Sequence, residues 1–143
     1  MLYAVQELEE QLLGQGNWDG RDWELVYRTA SMPPLGRPNV SLRVGGNAGG
    51  GSVPETLDKP LGGVGITRHA DDRLRAWIHG EVQPTYESVF IECVDGLSIE
   101  ASVVDCETIF GFNFYVAATH YRPVRVVAKA VDGRRAFLQI DNL

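Results

Sequence analysis

The chain has 143 residues, the length of one typical domain. Its 13 basic and 19 acidic residues give a net charge of −6, so it lacks the basic character expected of a nucleic-acid-binding protein. Hydrophobic residues make up 44% and charged residues 22%, which is typical of folded globular proteins and excludes a disordered chain. We therefore expect one globular domain that does not bind nucleic acid.

Targeting and membrane signals are missing from the sequence. No apolar run approaches the roughly 20 residues that a membrane-spanning helix needs, so we expect no membrane span in this chain. The first residues lack the basic region and the apolar region of a signal peptide. These observations leave the compartment open.

Residues 1–14 have the pattern of a short amphipathic helix. Val5, Leu8 and Leu12 recur near one helical face between residues 3 and 13, and Gly14 stands where a helix commonly ends. Such a short helix must pack on something to be stable. It packs either on its own domain or, through Val5, Leu8 and Leu12, on a partner or a second copy of the chain.

Residues 15–143 are predicted to form a β-sandwich domain. Runs rich in β-branched and aromatic residues recur at the spacing of a two-sheet antiparallel sandwich. The nine predicted strands cover residues 23–29, 40–44, 63–67, 73–79, 87–94, 98–105, 109–118, 124–131 and 135–141. In the seventh, Phe110, Phe112 and Phe114 alternate with smaller residues, which predicts three rings on one core face.

Two Asp-Gly pairs predict hairpin turns, at residues 95–96 and 132–133. In the first hairpin, a loop over residues 95–97 keeps the apolar side chains on one buried face and Glu92 and Glu100 on the other. This register pairs Cys93 with Ile99, Ile91 with Ala101 and Val89 with Val103. The second hairpin buries Val124, Val126, Ala128, Ala130, Ala136, Leu138 and Ile140, and its outer face carries Arg125, Lys129, Arg135 and Gln139.

Residues 45–52 are rich in glycine. The stretch Gly45-Gly46-Asn47-Ala48-Gly49-Gly50-Gly51-Ser52 has few side chains to hold it in a strand. We expect a long mobile surface loop there.

From about residue 16 to residue 140 the chain resembles a family of uncharacterised exported or membrane-anchored β-sandwich domains of actinobacteria, immunoglobulin-like in style. The resemblance is carried by Trp23-Glu24-Leu25-Val26, Leu42-Arg43-Val44-Gly45-Gly46, His79-Gly80-Glu81-Val82, Phe114-Tyr115-Val116-Ala117, Pro123-Val124-Arg125-Val126-Val127-Ala128 and Asp132-Gly133-Arg134. It implies an immunoglobulin-like sandwich in a bacterial, extracytoplasmic setting. It implies no active site, and this chain departs from the family in lacking an anchoring segment.

The sequence contains no recognised catalytic motif. It has no Gly-x-Ser-x-Gly elbow, no HExxH and no phosphate-binding loop, so we expect a non-enzymatic protein without a cofactor. The predicted register places Cys93 and Cys106 roughly 23 Å apart along the sheet, beyond disulfide reach. We therefore predict two free thiols, with Cys93 in the core.

Two small-ligand sites are conceivable from the residue types. His69, Asp71, Asp72 and His79 combine imidazole and carboxylate groups, which suit zinc, although residues 70–73 also have the composition of a polar turn. Trp18, in the predicted loop over residues 17–20, is placed to be exposed and to stack on a saccharide.

The sequence favours a recognition module that binds a protein partner, through a loop end or an exposed strand edge, over an enzyme. One alternative is a sandwich that binds a saccharide or a metal through the residues just named, and another is a purely structural spacer or stalk domain. A homo-oligomer is also compatible with the predicted apolar helix face.

Overall fold

The computed structural model describes residues 10–28, 39–45, 47–54, 56–63, 65–68 and 76–140. These residues form antiparallel β-strands and one single-turn helix. The strands are β1 Glu10–Trp18, β2 Arg21–Arg28, β3 Asn39–Val44, β4 Asn47–Ser52, β5 Gly65–Arg68, β6 Ala76–Val82, β7 Tyr86–Cys93, β8 Ser98–Glu100, β9 Ser102–Val104, β10 Asn113–Thr119, β11 Pro123–Ala130 and β12 Arg135–Gln139, and the helix is α1 Glu107–Phe110. The predicted all-β class is confirmed.

The chain divides into two compact units, which we call the first unit, residues 1–54, and the second unit, residues 55–143. The first unit contains sheet I, with strand order β1-β2-β3-β4. The second unit contains sheet II, with order β5-β6-β10-β9, and sheet III, with order β12-β11-β7-β8.

The helix predicted over residues 3–13 is not confirmed, because Glu10–Trp18 forms β1. Val5 and Leu8 lie outside the described residues, and Leu12 is about half exposed on a strand rather than on a helix face. Asp19 and Gly20 both have positive φ, 51° and 87°, as a two-residue hairpin turn requires. This turn folds β1 onto β2, and the paired strand overrides the weak helical preference of the same residues.

The mobile loop predicted over residues 45–52 is wrong for residues 47–52, which form β4 and pair along the whole of β3. Gly45 has a φ of 53°, so the chain reverses at once after β3. Backbone hydrogen bonds to β3 hold a strand that has few side chains of its own.

Sheets II and III of the second unit share one hydrophobic core. Ile78 of β6 and Tyr115 of β10 pack there with Ile91 of β7 and Val126 of β11, and none of these four side chains is exposed. The alternation of apolar and polar residues along β7 and β11 explains this, because every second residue points inward. The predicted inner face of the second hairpin is confirmed for Val126, Ala128 and Ala130, which are buried, and for Ala136, Leu138 and Ile140, which are partly buried.

The strand predicted over residues 98–105 is split at Ala101 between the two sheets. β8 pairs with β7 in sheet III, and β9 pairs with β10 in sheet II. Ile91 therefore lies opposite Ile99 rather than Ala101, a shift of two residues from the predicted register. Because the shift is even, the predicted faces are kept.

The strand predicted from residue 109 begins only at Asn113, because α1 precedes it and ends at Gly111, whose φ is 81°. The three phenylalanine rings still meet, with Phe110 and Phe114 5.4 Å apart at their centroids. The side chains that β10 contributes to the core shared with sheet III are Tyr115 and Ala117, however, on the opposite face from Phe114.

Candidate functional site

The outer face of sheet III carries an aromatic row. Val127 of β11 lies between Phe90 of β7 and Phe137 of β12 in the strand register. Val127 is only 3% exposed, whereas Phe137 is 53% exposed. This row, together with the cations beside it, is called the aromatic row face below.

Two cations cover the rings of this face. The guanidinium of Arg125 lies 4.7 Å from the centroid of Phe137, and the ammonium of Lys129 lies 4.5 Å from that of Phe90. Arg125 also donates from Nε to Glu92 at 2.7 Å. Alternation along β11 places Arg125, Val127 and Lys129 on this face, while Val126 and Ala128 point into the core. Cation–π contacts and an ion pair therefore order a partly exposed apolar strip.

The same part of the chain is basic, whereas the protein is acidic. Residues 122–140 hold five basic residues and one acidic residue, a net charge of +4, so the remainder of the chain carries −10. The single acid, Asp132, is bonded to Arg134 at 2.7 Å. Among the described residues, Lys129 and Arg135 form no ion pair. On the outer face, Glu92 is paired with Arg125 and Glu100 lies opposite Phe90. The excess positive charge is therefore on the β11–β12 side of the face, where Lys129 and Arg135 can attract an acidic partner.

Three buried polar side chains lie inside the second unit, where every residue of β6 is buried. His79 and Glu81 are each 8% exposed, and Tyr115 of β10 is fully buried opposite Gly80. Glycines make room for all three polar tips: a Cβ on Gly65 would overlap the imidazole of His79, one on Gly62 would lie 2.8 Å from Oε2 of Glu81, and one on Gly80 would overlap the hydroxyl of Tyr115.

Burial sets the protonation of these groups. It lowers the pKa of His79 and raises the pKa of Glu81. The pKa of Tyr115 is raised by burial and, to a smaller extent, by the charge of Glu81. Burial therefore shifts each of these three groups toward its neutral form.

Tyr115→Phe tests the buried hydroxyl of Tyr115. The oxygen is buried and has no hydrogen-bond partner among the described residues, so removing it relieves a desolvation cost. We expect the free energy of unfolding to stay the same or to rise by about 1 kcal/mol. Chemical denaturation measures it, and a loss above about 1 kcal/mol would show that the hydroxyl has a partner in solution.

His79 should make stability depend on pH. Its folded pKa lies below the usual 6.5, so as the pH falls below 6.5 the unfolded chain takes up a proton that the folded chain does not. Between pH 7.5 and 5.5 the wild type should therefore lose up to about 1.4 kcal/mol relative to His79→Gln. Glu81, whose pKa is raised, acts in the opposite direction in both proteins and cancels in this difference. Equal changes for the two proteins would refute the role of His79.

The structure places only one of the four metal-site candidates. His79 is buried in β6, whereas His69, Asp71 and Asp72 lie outside the described residues. Within the described ranges, no group of three His, Cys, Asp or Glu residues could hold a metal ion.

Trp18 lies at the end of β1 and is half-buried rather than in an exposed loop. It stacks on Trp23 at 5.2 Å between ring centroids and 23° between planes. An open groove of about 920 Å³ runs nearby in the first unit, lined by Gln15, Gly16, Asn17, Gly20, Arg21, Asp22, Trp23, Glu24, Arg43 and Gly45. Trp18 is not part of that lining, so its ring is not the floor of the groove.

Both cysteines are buried free thiols, as predicted. Burial raises the pKa of Cys93, and it raises that of Cys106 to about 11, with the charges of Asp95 and Asp105 adding to the two effects. Neither thiol is therefore activated as a nucleophile.

The sequence alone could predict only part of the aromatic row face. Alternation places Arg125, Lys129 and Arg135 outward, and the same parity assigns Phe137 to their side. That parity is the signal that could have identified the exposed ring. The alignment of Phe90 and Phe137 on either side of Val127 depends on the register between β7 and β11. No short turn connects these two strands, so the sequence does not fix that register.

Searches with the chain match no protein-family model, no curated protein and no solved structure. The resemblance to exported β-sandwich domains therefore stays a prediction. Among the described residues, no helix is long and apolar enough to cross a membrane.

Proposed function

We propose that the protein is a non-enzymatic recognition module that binds a protein partner through the aromatic row face. One observation carries the proposal: an ordered sheet face exposes half of an aromatic side chain, Phe137, with the guanidinium of Arg125 over its ring. Aromatic residues and arginine are enriched at protein interfaces and dominate their binding energy. Here the contact between Phe137 and Arg125 holds both side chains in place before any partner binds, which reduces the entropy lost on binding.

We further propose that the second unit is immunoglobulin-like. Lettering its strands A to G, with β8 and β9 as two halves of D, sheet II has the order A-B-E-D and sheet III has the order G-F-C with half of D at its edge. The constant-type immunoglobulin sandwich has sheets ABED and CFG, so the strand order supports this assignment. On that scheme the aromatic row face is the outer surface of strands C, F and G.

Charge indicates the chemistry of the partner. The basic segment over residues 122–140 stands out from a chain of net charge −6. Complementary potentials speed encounter and exclude partners of like charge. The partner therefore presents an acidic surface with apolar or aromatic side chains that cover Phe137.

Affinity capture from the source organism's proteins, with identification by mass spectrometry, tests the proposal. Wild type, Phe137→Ser and Val131→Ser serve as three baits. Val131 is a matched control, since it is 80% exposed at the tip of the same hairpin but outside the aromatic row. We expect an acidic protein retained by wild type and Val131→Ser and lost with Phe137→Ser. Retention on all three baits would reject this face as the binding surface.

A further inference from the structure

We infer that the partner binds by adding an extended acidic segment, as an antiparallel strand, to the free edge of β12. This inference rests on the proposed function and specifies its mode. β12 lies at one edge of sheet III and, within the described residues, pairs only with β11. Strand addition to such an edge is a common way to recognise extended peptides.

The hydrogen-bonding phase of β12 fits this mode. Ile140 donates its N–H to the carbonyl of Val124, and Ala130 donates to that of Arg134, which fixes the phase of the whole ladder. In an antiparallel ladder bonded and non-bonded pairs alternate, so the Phe137 pair with Val127 is a non-bonded one. The N–H and C=O groups of Arg135, Phe137 and Gln139 are therefore directed away from β11, toward the edge.

The core beside β12 is also incomplete. Ala136, Leu138 and Ile140 point inward but are only partly buried. The β11 residues opposite Leu138 and Ala136 are Val126 and Ala128, and both are completely buried because a strand flanks them on each side. An added strand with apolar residues at its inward positions would cover the inward side chains of β12.

The other described strand edges are less suitable. β4 has six residues, but three of them are consecutive glycines, which offer no side chains to specify the register of an added strand. β8, β9 and β5 have only three or four residues, and β8 ends at Glu100. β1 is longer, but its register shifts between Leu12 and Gly14, and bulges of this kind protect edges from pairing. β12 has five residues with an exposed aromatic at its centre and no charge pointing inward.

The occupant is an acidic segment rather than a second copy of this chain. Pairing β12 with β12 of another molecule would bring together two hairpins that each carry the net charge of +4 found over residues 122–140. An acidic strand would instead place a carboxylate beside Arg135, whose charge has no ion-pair partner among the described residues. Its central outward residue would cover Phe137.

A synthetic peptide tests the mode. Acetyl-Glu-Val-Tyr-Val-Glu-amide places tyrosine opposite Phe137, valines beside Ala136 and Leu138, and a glutamate opposite Arg135. Two isomers of equal mass carry one N-methyl group each, on tyrosine or on a valine. Of the two methylated positions, only the tyrosine N–H faces β12, because tyrosine opposes a residue whose own backbone groups point to the edge, whereas the valines oppose residues bonded to β11. We expect calorimetry to show binding of the parent peptide, and binding at least tenfold weaker for the N-methyltyrosine isomer than for the N-methylvaline isomer.

Variants of the protein complete the test. Gln139→Pro removes an edge N–H without removing a bond to β11, and Gln139→Ala is its control. We expect at least a tenfold loss of peptide affinity for Gln139→Pro, and a comparable loss for Arg135→Glu. Thermal unfolding confirms that each variant is folded.

Several results would overturn the inference. The first is that the parent peptide does not bind at millimolar concentration, and the second is that the two N-methyl isomers bind with equal affinity. The third is that the protein forms a dimer in sedimentation and that Gln139→Pro dissociates it. The proposed function fails separately. A captured partner that needs Phe137 but tolerates Gln139→Pro would reject strand addition and keep the face, whereas a partner indifferent to Phe137→Ser would reject both.

Discussion

Replacing Gly80 by alanine is expected to lower the free energy of unfolding by about 3 kcal/mol. The new Cβ would overlap the hydroxyl of Tyr115 and lie 2.6 Å from its Cζ and 2.9 Å from the carbonyl oxygen of Gly63. Tyr115 is fully buried, and the oxygen of Gly63 belongs to the backbone, so neither can move aside cheaply. Urea denaturation of the wild type and the variant measures the loss.

Gly63→Ala is the matched control for this substitution. A Cβ at Gly63 would meet nothing within 4 Å, and its backbone is not in the left-handed region. The variant should change the free energy of unfolding by less than about 1 kcal/mol. If Gly80→Ala were as stable as Gly63→Ala, Tyr115 could not lie across Gly80, and the pairing of β6 with β10 would be wrong.

Trp23→Ala should destabilise the first unit by about 4 kcal/mol. Trp23 is 5% exposed in β2 and stacks on Trp18, and a Cβ at Gly16 of β1 would lie 2.6 Å from its Nε1, so the ring packs directly on the neighbouring strand. Truncation would leave a large cavity beside β1. Hydrogen exchange resolved by residue should show the loss in the amides of β1, β2 and β3.

Trp18→Ala provides the comparison, because Trp18 is only half-buried and loses less apolar contact. We expect about 1 kcal/mol for this variant. A larger effect for Trp18 than for Trp23 would contradict the packing of sheet I.

The predicted strands that the structure confirms have both strong alternation and a nearby turn signal. β7, β11 and β12 fall within two residues of their expected bounds, because Asp95-Gly96 and Asp132-Gly133 delimit them. The same reasoning applied to Asp19-Gly20 would have found β1. It was missed because residues 12–18 alternate poorly and contain two glycines, Gly14 and Gly16.

Other features depended on long-range pairing that no local pattern shows. Gly49, Gly50 and Gly51 lie in a strand only because β3 supplies hydrogen bonds beside them. The split at Ala101 likewise follows from competition between β7 and β10 for one segment of chain. Local propensity is weak against tertiary pairing of this kind.

Some features of the candidate sites could also be predicted from local sequence, and others depended on long-range pairing. Outward positions such as Arg125 and Lys129 follow from period-two alternation and were predicted. The burial of His79 could not be predicted, because it requires both faces of β6 to be covered. The exposure of Phe137 depends on β12 being at an edge, which is a property of sheet order and not of residues 135–139 alone.

The most direct test of the recognition proposal is the affinity of the purified captured partner for wild type, Phe137→Ser and Val131→Ser, measured by calorimetry at low and high salt. We predict at least a tenfold weaker affinity for Phe137→Ser, an unchanged affinity for Val131→Ser, and weaker wild-type binding at high salt because the partner is acidic. Equal affinities of all three proteins, or binding that salt does not affect, would contradict recognition through the aromatic row face.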